Sequence, residues 1–112
     1  MDAGPAVQEL LHVSEDVRAV VVFEPEGEIT AASVQDDEAA ELAGAAGALL
    51  ATADKLRPDR EALRVEAFTP DGDVYVARSG ERVTVAVAAP GSTPALVRHD
   101  LRTILAEQDA AS

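Results

Sequence analysis

Apolar positions recur along this chain with two different periods, and the switches between them mark out the elements. Val7, Leu10, Leu11 and Ser14 are spaced for one buried face of a short helix, which Gly4-Pro5 opens. VRAVVVFE (17–24) is a β-branched run, followed by the turn residues Pro25-Glu26-Gly27-Glu28 and the return strand ITAASV (29–34). The first of these strands is apolar on both faces, which predicts a central position covered on both sides. A helical pattern then begins at Asp36-Asp37-Glu38 and runs to about Leu56. Acids in its first turn suit the positive end of the helix dipole, and Arg57-Pro58 stops it. Three further strands follow at 62–68, 73–79 and 82–89, joined by turns short enough for antiparallel hairpins. Ser92-Thr93-Pro94 predicts a cap with proline at the first helical position. The closing helix, 94–108, is expected to bury Leu96, Val97, Leu101, Ile104 and Leu105 and to show Arg98 to water. The order is α-β-β-α-β-β-β-α.

The middle helix carries an unusual pattern. From Leu42 to Ala53 it has no charge at all, and its large side chains, counting on to Leu56, are all leucine. Placing residues about 100° apart puts Leu42, Ala45, Ala46, Leu49, Leu50, Ala53 and Leu56 on one side, expected to meet the sheet. Ala40, Ala43, Gly44, Gly47, Ala48 and Ala51 fall on the other side, where an ordinary surface helix shows Glu, Lys and Arg. Gly44 and Gly47 each cost about 1 kcal/mol relative to alanine in a helix interior. A face of such small side chains lets a second helix approach closely. The expected occupant is a second copy of the chain across a two-fold axis.

Composition narrows the function more by exclusion than by assignment. The 112 residues, 47% hydrophobic, suit one domain spanning 1–112, with its ordered part expected at about 5–107. The net charge is −12, most of it in residues 1–60, and phosphate backbones and anionic lipids are repelled by such a surface. With three aromatic residues and no basic stripe, neither nucleic acid nor membrane is an expected partner. The absence of cysteine, of a leader-like N-terminal pattern and of a long apolar run leads to a cytoplasmic expectation.

Catalytic constellations are hard to assemble from these residues. The serines lack a nucleophile-elbow setting. His12 and His99 are far apart, without cysteine or other ligands at metal-binding spacing. Asp71-Gly72-Asp73 is too short for a calcium loop and reads as a turn. Asp36, Asp37, Glu38 and Glu41 could hold a weak divalent ion, but the helix N-terminus already accounts for them. No catalytic residue, metal site or cofactor is expected.

Three segments together resemble the roadblock/dynein light-chain family, small longin-like domains that include bacterial regulators of Ras-like GTPases. They are VRAVVVFEPEGEITAAS, DDEAAELAGAAGALLATADKL and DVYVARSGERVTVAVAAPGSTPALVRHDLRTIL. The resemblance implies an α+β fold with a five-stranded antiparallel sheet in the order 2-1-5-4-3. The central helix would lie on one face and the terminal helices on the other. It also implies a homodimer in which the 62–68 strands pair edge to edge, through Leu63, Arg64, Val65, Glu66, Ala67 and Phe68, with the central helices side by side. Family members are non-catalytic platforms, and some dock a small Ras-like GTPase; Glu38 and Glu41 are the candidate contacts for such a partner. A small-molecule sensory domain with a similar sheet is the alternative. It needs a lined cavity, which three aromatic residues serve poorly.

Overall fold

A computed structural model of the chain describes residues 16–56, 59, 64–79, 82–99 and 101–102. The expected first helix, Leu63, Ile104 and Leu105 lie outside them. The described strands are β1 (Val17–Phe23), β2 (Ile29–Ala32), β3 (Arg64–Thr69), β4 (Gly72–Ser79) and β5 (Arg82–Ala88), with the central helix at Asp36–Leu56 between β2 and β3. They form one antiparallel sheet in the order β2-β1-β5-β4-β3. Both the order and the class match the expectation. β1 sits between β2 and β5 with Val20, Val21 and Val22 wholly buried, as a strand apolar on both faces requires.

Alternation along the strands sends side chains into two cores. On one face Val21, Phe23, Val76, Val83 and Val85 meet the central helix. On the other, Val17, Val20, Val22, Tyr75, Ala86 and Ala88 meet Val97 and Leu101 of the closing helix, which is helical at 94–99 and 101–102. Leu96, expected in that core, is 61% exposed instead. It stands about 100° around the helix from Val97, on the side opposite Arg98.

Local chemistry fixes the connections. Gly27, at φ +104, supplies the left-handed residue of the β1–β2 turn and donates its N–H to the Glu24 carbonyl at 2.8 Å. At Gly72 a Cβ would stand 3.1 Å from the carbonyl oxygen of Ala88, a close approach that suits a residue without one. The Gln35 carbonyl accepts the first helical bond, from Ala39 N–H at 2.8 Å, which puts the cap one residue ahead of the acids. Those acids then occupy the first turn, with Lys55 in the last, and both ends suit the dipole.

The closing helix starts at Pro94 with Thr93 as its cap, as the Ser92-Thr93-Pro94 pattern predicts, and the neighbouring Ser92 has a separate role. Its hydroxyl donates to the buried Asp73 carboxylate at 2.7 Å and accepts from the Tyr75 hydroxyl at 2.8 Å. The Thr93 carbonyl accepts the first helical bonds, from Leu96 and Val97 N–H, and the Thr93 N–H donates to the Asp16 carboxylate. The Ser92 chain therefore ties the start of the closing helix to β4 and satisfies polar groups that would be costly to bury alone.

Candidate functional site

The central helix turns a different side to the sheet from the one its leucines suggest. Its core-facing line is Ala39, Ala43, Ala46 and Leu50, all buried. Leu42 and Leu49 are only half-buried, Ala45 is exposed, and Leu56 is 80% exposed. Ala43, read as outward-facing, belongs to the core at 6% exposure. The cause is steric. The sheet face below is made of bulky valines and Phe23, so alanines under the axis let the helix come close, and the larger leucines fall to the side.

Three strips of this helix consequently face away from the core. Ala40, Gly44, Ala48 and Ala51 form an exposed line along its outer surface, with Glu38 and Glu41 exposed near its start. One flank holds Gly47 and Asp54, beside the end of β1. The other holds Leu42, Ala45, Leu49, Thr52 and Leu56, at the alternating three- and four-residue spacing of a helix–helix seam.

The first flank borders a cleft of about 180 Å³. Its floor is Phe23, Leu50 and Val83, and its sides are Pro25, Gly47 and Ala51. At one end the Arg78 guanidinium, on β4, reaches the Asp54 carboxylate at 3.5 Å. Small-molecule sites more commonly enclose about 300–1,000 Å³. A Cβ added at Gly44 or at Gly47 meets nothing within 4 Å, so no contact of the chain with itself requires glycine at either position.

The central helix also packs against β3. β3 is an edge strand, hydrogen-bonded to β4 alone among the described strands. Its register, Val65 against Val76 and Ala67 against Val74, turns these two half-buried residues to the central-helix face. Arg64, Glu66 and Phe68 point to the opposite face. There Phe68 is 55% exposed and stacks edge-on against Tyr75 with ring centroids 5.8 Å apart.

Glu66 has a partner within the chain. Arg98, expected to face water, makes a two-pronged ion pair with it and joins the edge strand to the closing helix. That hydrogen bond and the guanidinium charge hold the Glu66 carboxyl below the ordinary glutamate range, against the opposing effect of its partial burial. The Glu66 side chain is thus already engaged within the chain. The sequence reading also passed over the Glu24, Glu26 and Glu28 carboxylates, whose ligand atoms lie within 4.8 Å of one another on the β1–β2 turn. The alternation E-x-E-x-E was the available signal, hidden because Pro25 and Gly27 mark the segment as a turn.

No protein-family model matches the chain, and no curated protein is similar to it in sequence. Solved structures are similar in fold. A roadblock/LC7 domain from Streptomyces avermitilis superposes with a TM-score of 0.88 at 13% identity, over 99% of this chain and 98% of that one. Myxococcus xanthus MglB gives 0.74 at 17% identity, over 91% of this chain and 80% of its own. Profilin IB of Acanthamoeba castellanii gives 0.62 at 15%, over 92% and 93%, so the architecture is also found outside the roadblock domains. The resemblance drawn from the three sequence segments holds at the level of architecture: the chain has the fold of the roadblock/LC7 domains.

Proposed function

We propose that the chain is a non-catalytic, homodimeric platform that docks a small Ras-like GTPase in the cytoplasm. The observation that carries this reading is an open sheet edge, β3, together with a helix flank on which Leu56 is exposed and Leu42 and Leu49 are only half-covered by the chain. An open edge offers unpaired backbone groups, and the Leu42–Leu49–Leu56 flank offers apolar area. A second copy related by a two-fold axis would cover both together. Backbone pairing would use Arg64, Val65, Glu66, Ala67 and Phe68. The helices would meet along Leu42, Ala45, Leu49, Thr52 and Leu56, rather than through Ala43 or Gly47. The roadblock likeness supports self-association in kind, since one MglB structure is described as having a tetrameric arrangement.

The outer strip of Ala40, Gly44, Ala48 and Ala51 would stay accessible in that dimer, beside Glu38 and Glu41, and we assign it to the GTPase. The experiment is light scattering after size exclusion, combined with capture of a small Ras-like GTPase in its GTP-loaded and GDP-loaded states. A dimeric mass is expected, with capture in one nucleotide state that is lost on E38K/E41K reversal. A monomer at micromolar concentration overturns the dimer, and equal absence of capture in both nucleotide states overturns the GTPase assignment.

A further inference from the structure

We infer that the β3 edges of two copies pair in one register, with Glu66 facing Glu66 of the second copy across the two-fold axis. Arg98, which lies outside that edge, is then the positioning residue that makes the edge compatible with its own copy. The inference rests on the β3 dimer proposed above and specifies how its two chains meet.

Geometry restricts the register. A two-fold axis that runs a strand antiparallel to its own copy stands perpendicular to the sheet, so each sheet face continues across the junction. Side chains directly opposite one another lie on the same face. Val65 and Ala67 share the central-helix face, and Arg64, Glu66 and Phe68 share the other. Odd positions therefore oppose odd ones, even positions oppose even ones, and the axis is centred on a residue. Centring on Val65 opposes only Arg64, Val65 and Glu66 of the strand to their copies, whereas Glu66 engages Arg64–Phe68 and Ala67 engages Val65–Thr69.

Charge and shape separate the last two. Centred on Ala67, the Glu66 carboxylate would face Phe68 of the copy and Val65 would face Thr69, each an apolar group against a polar one. Centred on Glu66, Val65 faces Ala67, and exposed Arg64 faces Phe68, a cation beside a ring that is 55% exposed. The remaining pair sets the two Glu66 side chains opposite each other, with Cβ atoms about 4.5–5.5 Å apart, a destabilising contact between bare like charges. These carboxylates are not bare. Arg98 holds Glu66 with two hydrogen bonds from the closing helix, so each charge arrives at the axis already matched by a guanidinium.

The chain has no cysteine, so single substitutions in the full chain read the register by disulfide formation under mild oxidation. A disulfide needs Cβ atoms about 3.5–4.5 Å apart, which only directly opposed residues approach. Glu66→Cys should link to itself. Val65→Cys and Ala67→Cys should each stay unlinked alone and link to each other when mixed, with the Glu66–Arg98 pair intact in both. Self-linking of Val65→Cys or Ala67→Cys overturns the register, as does an unlinked mixture that is dimeric by light scattering. Arg98→Gln should weaken the dimer about two- to fivefold in sedimentation equilibrium, and adding Glu66→Gln should restore it. A double variant as weak as Arg98→Gln would mean that Arg98 only holds the closing helix, and overturns its role at the edge. A dimer undisturbed by Arg98→Gln does the same. A monomeric parent chain removes the platform reading and the register together, whereas a dimer linked at another position removes the register alone.

Discussion

The two flanks of the central helix are built from the same segment, yet they offer a neighbour different things. Toward the β1–β2 turn the helix shows Gly47 and Ala51 above a recess closed at one end by the Asp54–Arg78 pair. On its opposite flank it carries leucines at seven-residue intervals, over a sheet with an open edge at β3. The first is concave and shallow, its floor of Phe23, Leu50 and Val83 already buried by the chain itself. The second is an extended apolar seam suited to a parallel surface of equal length. The difference teaches that a run of alanine, glycine and leucine has no single outward face. How the axis sits over the sheet decides which residues become core, seam or recess.

Substitutions along the three lines should separate these roles, and the largest effect belongs to the core line. Leu50, at 3% exposure, should cost about 2–5 kcal/mol on truncation to alanine, read by urea unfolding of the chain. Leu56→Ala, on a side chain 80% exposed, should leave the unfolding free energy of an isolated chain within about 0.5 kcal/mol. If Leu56→Ala destabilises as much as Leu50→Ala, the seam is part of the chain's own core and the comparison collapses. Gly44→Ala and Gly47→Ala should each stabilise by up to about 1 kcal/mol, because the new methyl groups meet nothing and helix propensity improves. A loss of stability at either site would show that the helix is more crowded there than its surroundings indicate.

The smallest effect concerns the pair that anchors the edge strand. Glu66 has a lowered pKa in the folded chain, so its contribution to stability is complete above the unfolded value of about 4.3 and fades as pH falls through the folded value. The stability gap between the parent and the Arg98→Gln chain should therefore narrow as pH falls below about 4.3, because the parent loses in acid the contribution that the variant already lacks. Glu66→Gln should remove that share of the pH dependence below about 4.3 and leave the slope above it unchanged. Identical acid limbs for Glu66→Gln and the parent chain would contradict the assignment.

Much of the fold was legible before any coordinates. The valine run of β1, the turns at Pro25-Glu26-Gly27 and Thr69-Pro70-Asp71-Gly72, and the acidic start of the helix each have a local cause. What local pattern could not deliver was the rotation of the central helix. Reading the leucines as the buried axis treats residue size as the guide to burial. Over a valine-rich sheet the closest approach instead belongs to alanine, so Ala39 and Ala43 moved inward and Leu56 moved out. The candidate interface shifted with them. The edge strand was placed correctly, but the Glu66–Arg98 pair and the role of Ser92 depend on contacts across many residues of sequence, which spacing does not reveal.

The mass of the chain in solution, compared between Leu56→Glu and Ala51→Glu, bears most directly on the division of the helix into seam and recess. Light scattering should give a dimer for the parent chain and for Ala51→Glu, and a monomer for Leu56→Glu. A dimer that survives Leu56→Glu but dissociates with Ala51→Glu would place the second copy on the opposite flank and contradict the account.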